Sequence, residues 1–163
     1  KPTTRLTSIS FNKLNSLEIP SVLSIEERNS NYPWSQGQFI TSIENSNNLC
    51  YCWSLNGKTI GYLIAMLSVD TADILNIGID PDFQRNGYGT GLFNHLIEEL
   101  RKRHIGEILL EVRAGNKSAI QFYKKQGFEE ISVRKNYYTK NSKNQSHRED
   151  GIIMRIKILS IKN

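Results

Sequence analysis

The sequence is short of the residues that build disulfide frameworks, metal centres and membrane spans. It holds two cysteines and three histidines in 163 residues. No apolar run approaches the ~20 residues that a spanning helix needs, so no membrane partner is expected. Cys50 and Cys52 lie two residues apart in an apparent strand, where they share one face. That suits reduced thiols in a reducing cytoplasm better than a disulfide or a ligand pair. His95, His104 and His147 have no partner at triad or metal spacing, so all three read as solvated or cap-like and no metal is expected. Lys1-Pro2-Thr3 opens no hydrophobic signal segment. The missing Met fits a trimmed start or a removed leader, which leaves an organelle open.

What is present is ordinary for a globular protein: 38% hydrophobic and 23% charged residues. At this length the chain reads as a single domain over 1–163, with its core at about 6–158 and no linker or repeat. A domain of this size buries about two-thirds of its unfolded surface. The net charge of +5 is uneven: residues 1–81 carry 5 basic and 7 acidic side chains, and residues 82–163 carry 16 and 9. A basic half can serve nucleic acid, a membrane surface or a polyphosphate ligand. There is no RNA-binding aromatic signature and no zinc spacing, so direct nucleic-acid binding is not expected. A phosphate-rich cofactor explains the skew more simply.

Along the chain, Leu6 to Phe11 alternates weakly as a first edge strand. Ile19, Val22 and Leu23 mark a short helix with Pro20 tolerated in its first turn, and Ser35 caps a second to about Ile43. Leu49–Trp53 and Thr59–Leu67 flank the hairpin turn Asn56-Gly57. A further strand runs from Ala72 to Ile79. Leu92, Phe93, Leu96, Ile97 and Leu100 share one face of a helix from about Tyr88 to His104. Ile108–Val112 is a short buried strand, and Asn116 caps a helix that Gly127 stops. Phe128 to about Arg134 and Ile152–Ile158 complete the strands. The polar segment 139–148 reads as a mobile loop. Hairpins first and strand–helix–strand units later predict an α/β sandwich over a mixed sheet.

The arrangement centres on residues 76–91, Asn-Ile-Gly-Ile-Asp-Pro-Asp-Phe-Gln-Arg-Asn-Gly-Tyr-Gly-Thr-Gly. A buried strand ends at Asp80-Pro81-Asp82, glycines follow, and a helix begins. Glycine lets backbone approach a ligand, and the first helical N–H groups point at it, so this is an anion site. The Gln84–Gly89 pattern, Q-x-x-G-x-G, is neither a P-loop nor a complete dinucleotide fingerprint.

That pattern resembles the pyrophosphate loop, Q/R-x-x-G-x-G/A, of the GNAT acetyltransferases. Leu110–Asn116, Phe122–Phe128, Asn136-Tyr137-Tyr138 and Glu149–Met154 follow in the order of the branch that acetylates the N-terminal alanine of ribosomal proteins (RimI). The resemblance implies a GNAT-type three-layer α/β sandwich with a mixed seven-stranded sheet and about four helices. A splay between central strands would admit the pantetheine arm of acetyl-CoA. It also implies that the main chain of Ile77, Gly78 and Ile79 orients the thioester. Gln84, Arg85, Asn86, Gly87, Tyr88, Gly89 and Thr90 would cradle the pyrophosphate, and Asn116 would add a hydrogen bond to the cofactor.

For chemistry, the resemblance implies Glu111 as general base and Tyr123 as the acid for the departing thiolate. Read from the residues alone, Glu111 interrupts an apolar strand and could instead pair with Arg113, while Tyr123 could simply fill core. Tyr32, Trp34, Tyr137 and Tyr138 would wall a groove for a protein N-terminus, ribosomal proteins included. Between Tyr138 and Glu149 the chain departs from the family, with a longer lysine-rich stretch in place of a short Pro/Gly turn, and this bears on the acceptor. Two other readings stay open: acetylation of a lysine or a small amine, and a non-catalytic CoA-binding or RNA-docking module. No feature speaks to the oligomeric state.

Overall fold

The structure, a computed structural model, describes residues 8–142 and 145–158. Its elements run β1 (Ile9–Lys13), α1 (Ile19–Asn29), α2 (Gln36–Glu44), β2 (Asn48–Leu55), β3 (Lys58–Leu67), β4 (Thr71–Ile79), α3 (Tyr88–Lys102), β5 (Glu107–Arg113), α4 (Lys117–Gln126), β6 (Glu129–Ser142) and β7 (Gln145–Lys157). The seven strands are ordered β1-β2-β3-β4-β5-β7-β6. β4 and β5 pair in parallel while β1/β2, β2/β3, β5/β7 and β6/β7 are antiparallel, so the mixed sheet and the four helices are as expected. Two compact units divide the chain: Lys1–Leu67 with Leu75–Glu98, and Ser68–Ile74 with Glu99–Asn163.

In the first unit the capping chemistry sets the helices. Ser35 and Gln38 form a reciprocal capping box at α2, a device that stabilises a helix start by about 1 kcal/mol. Pro20 sits in the first turn of α1, where no N–H is needed. Asn56 and Gly57 both have positive φ, the turn that suits the right-handed twist of β2 and β3. Alternation along β2 sends Cys50 and Cys52 to one face, with Leu14, Val22, Ile25, Phe39 and Tyr62. Both thiols are free and buried, and burial raises them, Cys50 to about 11. Trp53 takes the other face, under α3. A Cβ on Gly91 would meet its indole at 2.9 Å, so glycine permits the close packing. His95, read as solvated or cap-like, is half-buried: its ring stacks on Phe11 at 4.3 Å and meets Tyr51 edge-on at 5.0 Å.

In the second unit, Thr71–Ile74 of β4 pairs with Glu107–Leu110 of β5. β5 then pairs with β7 over its whole length, Glu107 with Lys157 through Arg113 with Gly151. Asn116 caps α4 through Ala119 N–H, and Gly127 ends it at φ 106°. His104 closes α3 at φ 59°, in keeping with its cap-like reading. Segment 139–148 differs from the expected loop. Thr139 pairs with Arg148, and Ser142 with Gln145, so β6 and β7 continue as paired strands through 139–142 and 145–148. Main-chain pairing holds them, which is why their polar side chains carried no strand signal. The His147 side chain and the first residues of the expected edge strand, Leu6 and Thr7, lie outside the described residues.

Candidate active site

The loop after β4 is built on a fixed turn. Asp80 Oδ1 accepts the Asp82 N–H at 2.9 Å, and Asp80 N–H donates to Ile60 O at 2.7 Å. Arg28, on α1, donates to Asp80 Oδ2 at 2.8 Å. Burial alone would raise the Asp80 carboxyl, but the Arg28 guanidinium and the Asp82 N–H outweigh it and hold it below the usual carboxylate range. Beyond this turn Arg85, Asn86 and Gly87 are exposed. Arg85 and Gly87 adopt φ of 66° and 81°. A Cβ on Gly87 would meet nothing within 4 Å, so the loop has open space above it. Gly91 N–H bonds Gly87 O at 3.1 Å to begin α3, and the amides ahead of it belong to the turn a helix cannot satisfy itself. A left-handed turn leading into a helix N-terminus fits a phosphate-bearing ligand.

Two side chains expected at that ligand are committed elsewhere. Gln84 Nε2 donates to Asn29 Oδ1 at 2.9 Å and to Ile79 O at 3.0 Å. The Tyr88 ring packs edge-on against Trp53 at 5.3 Å and Phe83 at 6.1 Å. Gly78 is buried, with the Tyr62 ring laid over it. Tyr32 is exposed, and Trp34 packs on Phe39 at 5.3 Å.

In the second unit Glu111 faces a different partner from the one its sequence suggests. Arg113 turns to Glu149 at 3.5 Å, and Arg134 Nε approaches Glu111 Oε1 at 3.7 Å. That distance is ion-pair range but too long for a hydrogen bond. Glu111 Oε1 is buried and has no hydrogen-bond partner among the described residues. An acceptor left in that state is costly unless a donor arrives with the reaction.

Around Glu111 an aromatic and ionic frame holds. The Arg113 guanidinium lies 4.3 Å over the Tyr138 ring, and Arg134 lies 5.1 Å from the centre of Tyr137. Glu149 Oε1 accepts the Gly115 N–H at 2.7 Å, which fixes the turn before Asn116. Burial raises the Tyr138 phenol, and the Glu111 charge adds to the rise. Tyr137 and Tyr138 meet edge-on at 5.0 Å, Tyr137 half exposed. Tyr123, on α4, packs between Phe122 at 5.6 Å and Phe128 at 5.8 Å, and burial pushes its phenol up to about 12. Asn116 Oδ1 accepts from Ala119 N–H at 3.3 Å and from Ser118 Oγ at 3.5 Å, so its acceptor oxygen serves the helix.

Sequence reasoning gave no role to Glu26, Tyr62 and Asn76 in the first unit, or to Arg134 and Glu149 in the second. Glu26 sits in a charged run, Ser24 to Asn29, that looks like a solvated helix face. Glu149 lies within a quoted motif, yet nothing in the sequence ties it to Gly115. No cluster of metal-ligating side chains occurs among the described residues.

The mixed seven-stranded sheet with four helices is the fold of an acetyltransferase. The model of the Acetyltransferase (GNAT) family matches residues 19–128, and the chain belongs to that family of acetyl-CoA-dependent N-acetyltransferases. The chain is 39% identical over 151 residues to the [ribosomal protein bS18]-alanine N-acetyltransferase of Escherichia coli K12, covering 91% of this chain and 99% of that one. The same enzyme of Salmonella typhimurium is 37% identical, over 89% of this chain and 95% of the other. The crystal structure of the Escherichia coli ribosomal-protein-S18-alanine N-acetyltransferase superposes with a TM-score of 0.84 at 36% identity, covering 96% and 97% of the two chains.

Proposed function

We propose that the chain transfers the acetyl group of acetyl-CoA directly to the N-terminal α-amine of a protein, with the alanine end of ribosomal protein bS18 as the favoured acceptor. The observation that carries this reading is the buried Glu111 Oε1 without a hydrogen-bond donor. An α-ammonium, with a pKa of about 8, arrives mostly protonated at neutral pH and supplies the missing N–H. Glu111 accepts that proton, directly or through a water, and frees the nitrogen lone pair to attack. The bound donor contributes a thioester, an acyl group on a good leaving sulfur.

The loop amides from Arg85 to Thr90 hold the pyrophosphate, with the exposed Arg85 side chain adding charge. Gln84 stiffens the loop from behind through its bond to Ile79 O. The main chain of Ile77–Ile79 orients the thioester, and Asn116 reaches the cofactor through its Nδ2, since Oδ1 caps α4. Tyr123, protonated at neutral pH, hands its proton to the thiolate. Tyr32, Trp34, Tyr137 and Tyr138 receive the peptide end. No helix of the described residues is long and apolar enough to cross a membrane. The 163 residues act as one domain in the cytoplasm on this reading.

The test is acetyl-CoA turnover against peptides carrying the bS18 N-terminus, with free and blocked α-amines. Free-amine peptides should be acetylated. Equal turnover on a blocked peptide with an internal lysine would replace this acceptor with the lysine side chain.

A further inference from the structure

One buried carboxylate takes no part in the chemistry above. Glu26, on α1, is only 6% exposed. Its Oε2 accepts from the Tyr62 hydroxyl and from Asn76 Nδ2 at 2.5 Å. Burying a charge on neutral donors is costly, and a carboxylate placed so must be fixing something. Both donors bear on β4. Asn76 is part of that strand, and the Tyr62 ring lies so close over Gly78 that a Cβ there would stand 2.6 to 2.7 Å from it. The same helix turn adds two more ties to the end of β4. Asn29 Nδ2 donates to Ile79 O at 2.8 Å, and Arg28 pairs with Asp80 at 2.8 Å. The last turn of α1 therefore grips the end of β4 and the following Asp80 through side chains, around the Ile77–Ile79 main chain read as orienting the thioester.

We propose that Glu26 is a positioning residue for the acetyl donor: through Asn76 and Tyr62 it sets the main chain of Ile77–Ile79 in register for the thioester. This rests on the reading of β4 given above. Catalysis is sensitive at this point, because a displacement of ~1 Å in a reacting group costs on the order of 10²-fold in rate. The carboxylate does what a neutral amide cannot. It offers acceptor atoms alone, so both donors are satisfied and neither Asn76 nor Tyr62 has a reason to turn away. In Glu26→Gln an amide N–H₂ competes for the same space and can oppose the Asn76 amide.

The experiment is an exchange of partners, with Glu26→Gln, Asn76→Asp and the double variant compared to the parent. Steady-state kinetics and amide hydrogen exchange across residues 74–83 are followed together. Each single change should lower kcat about 10-fold to 10²-fold with a smaller change in the peptide KM, and should speed exchange at Ile77–Ile79. The double variant, with the amide now on α1 and the carboxylate on β4, should recover kcat to within about 5-fold, as coupled neighbours do, and restore slow exchange. Unchanged exchange and unchanged kcat in folded Glu26→Gln would overturn the proposal. So would equal losses in the double variant, or a fall in melting temperature with full specific activity. If the parent protein itself transfers no acetyl group, the functional reading fails instead. The exchange data then still decide whether Glu26 sets β4.

Discussion

Arg134 Nε stands 3.7 Å from Glu111 Oε1, close enough for an ion pair and too far for a hydrogen bond. The ion pair is half exposed on the arginine side, so solvent weakens it and its contribution to stability is small. Its effect on the site is geometric. The carboxylate is held beside Gly151 and Tyr138, yet keeps an oxygen for an incoming donor.

It follows that Glu111→Gln should leave acetyl-CoA affinity intact and lower the rate about 10²-fold to 10⁴-fold near pH 7. The loss should shrink as pH rises above the pKa of the amine, about 8, where the acceptor sheds its own proton. Calorimetry with acetyl-CoA and a pH–rate profile with peptide check both halves. Equal deficits at pH 7 and pH 9.5 would remove Glu111 from the proton path.

Tyr123 carries a pH signature of its own. Its phenol is pushed up to about 12 from the ordinary value near 10 because burial disfavours the phenolate. The folded chain thus holds this proton where the unfolded chain has released it. The stabilisation is complete below pH ~10 and disappears as pH climbs to ~12, up to about 3 kcal/mol in all. Tyr123→Phe should lack that share of the alkaline decline when melting temperatures are compared from pH 9 to 11.5. In kinetics, the same variant should slow transfer without moving the pH dependence below pH 10.

The sequence made the local chemistry of the helices and turns readable. Ser35, Pro20, Asn116, Gly127 and Asn56-Gly57 each act through a main-chain rule that holds within a few residues. The glycine loop was readable for the same reason. What stayed hidden depends on long-range placement. Arg113 pairs with Glu149, thirty-six positions on, in preference to Glu111 two positions back. Glu26 looks solvated until α1 is laid on β3 and β4. His95 carries no sign of the Phe11 ring that stacks on it. The paired strand ends 139–142 and 145–148 were missed because they are fixed by neighbouring backbone and carry no alternating side-chain pattern.

Gly87 gives a direct test of the cradle. At φ 81° any other residue pays a backbone cost of about 1–2 kcal/mol, yet a side chain there has room. Gly87→Asp should therefore fold, with a modest drop in melting temperature. It should bind acetyl-CoA at least 10-fold more weakly, since a carboxylate would fill the open space proposed for the pyrophosphate. High salt should recover part of that loss. Unaltered affinity in the folded variant reduces the loop to a turn.

Tyr138 tests the proposed acceptor groove. Its ring is held on one side by the Arg113 guanidinium at 4.3 Å, and its edge closes on Gly151 beside Glu111. On the proposed reading, an aromatic wall so close to Glu111 suits the first residue of a peptide, whose main chain can then hydrogen-bond beyond it. Tyr138→Ala removes the wall and leaves Arg113 still paired with Glu149. The peptide KM should rise by about 10-fold or more, as for loss of a buried aromatic anchor, while the KM for acetyl-CoA changes little. Tyr138→Phe, which keeps the ring and the cation–π contact, should stay near the parent. A parallel rise in both Michaelis constants would mean that the ring supports the fold of β6 and β7 and is not an acceptor wall.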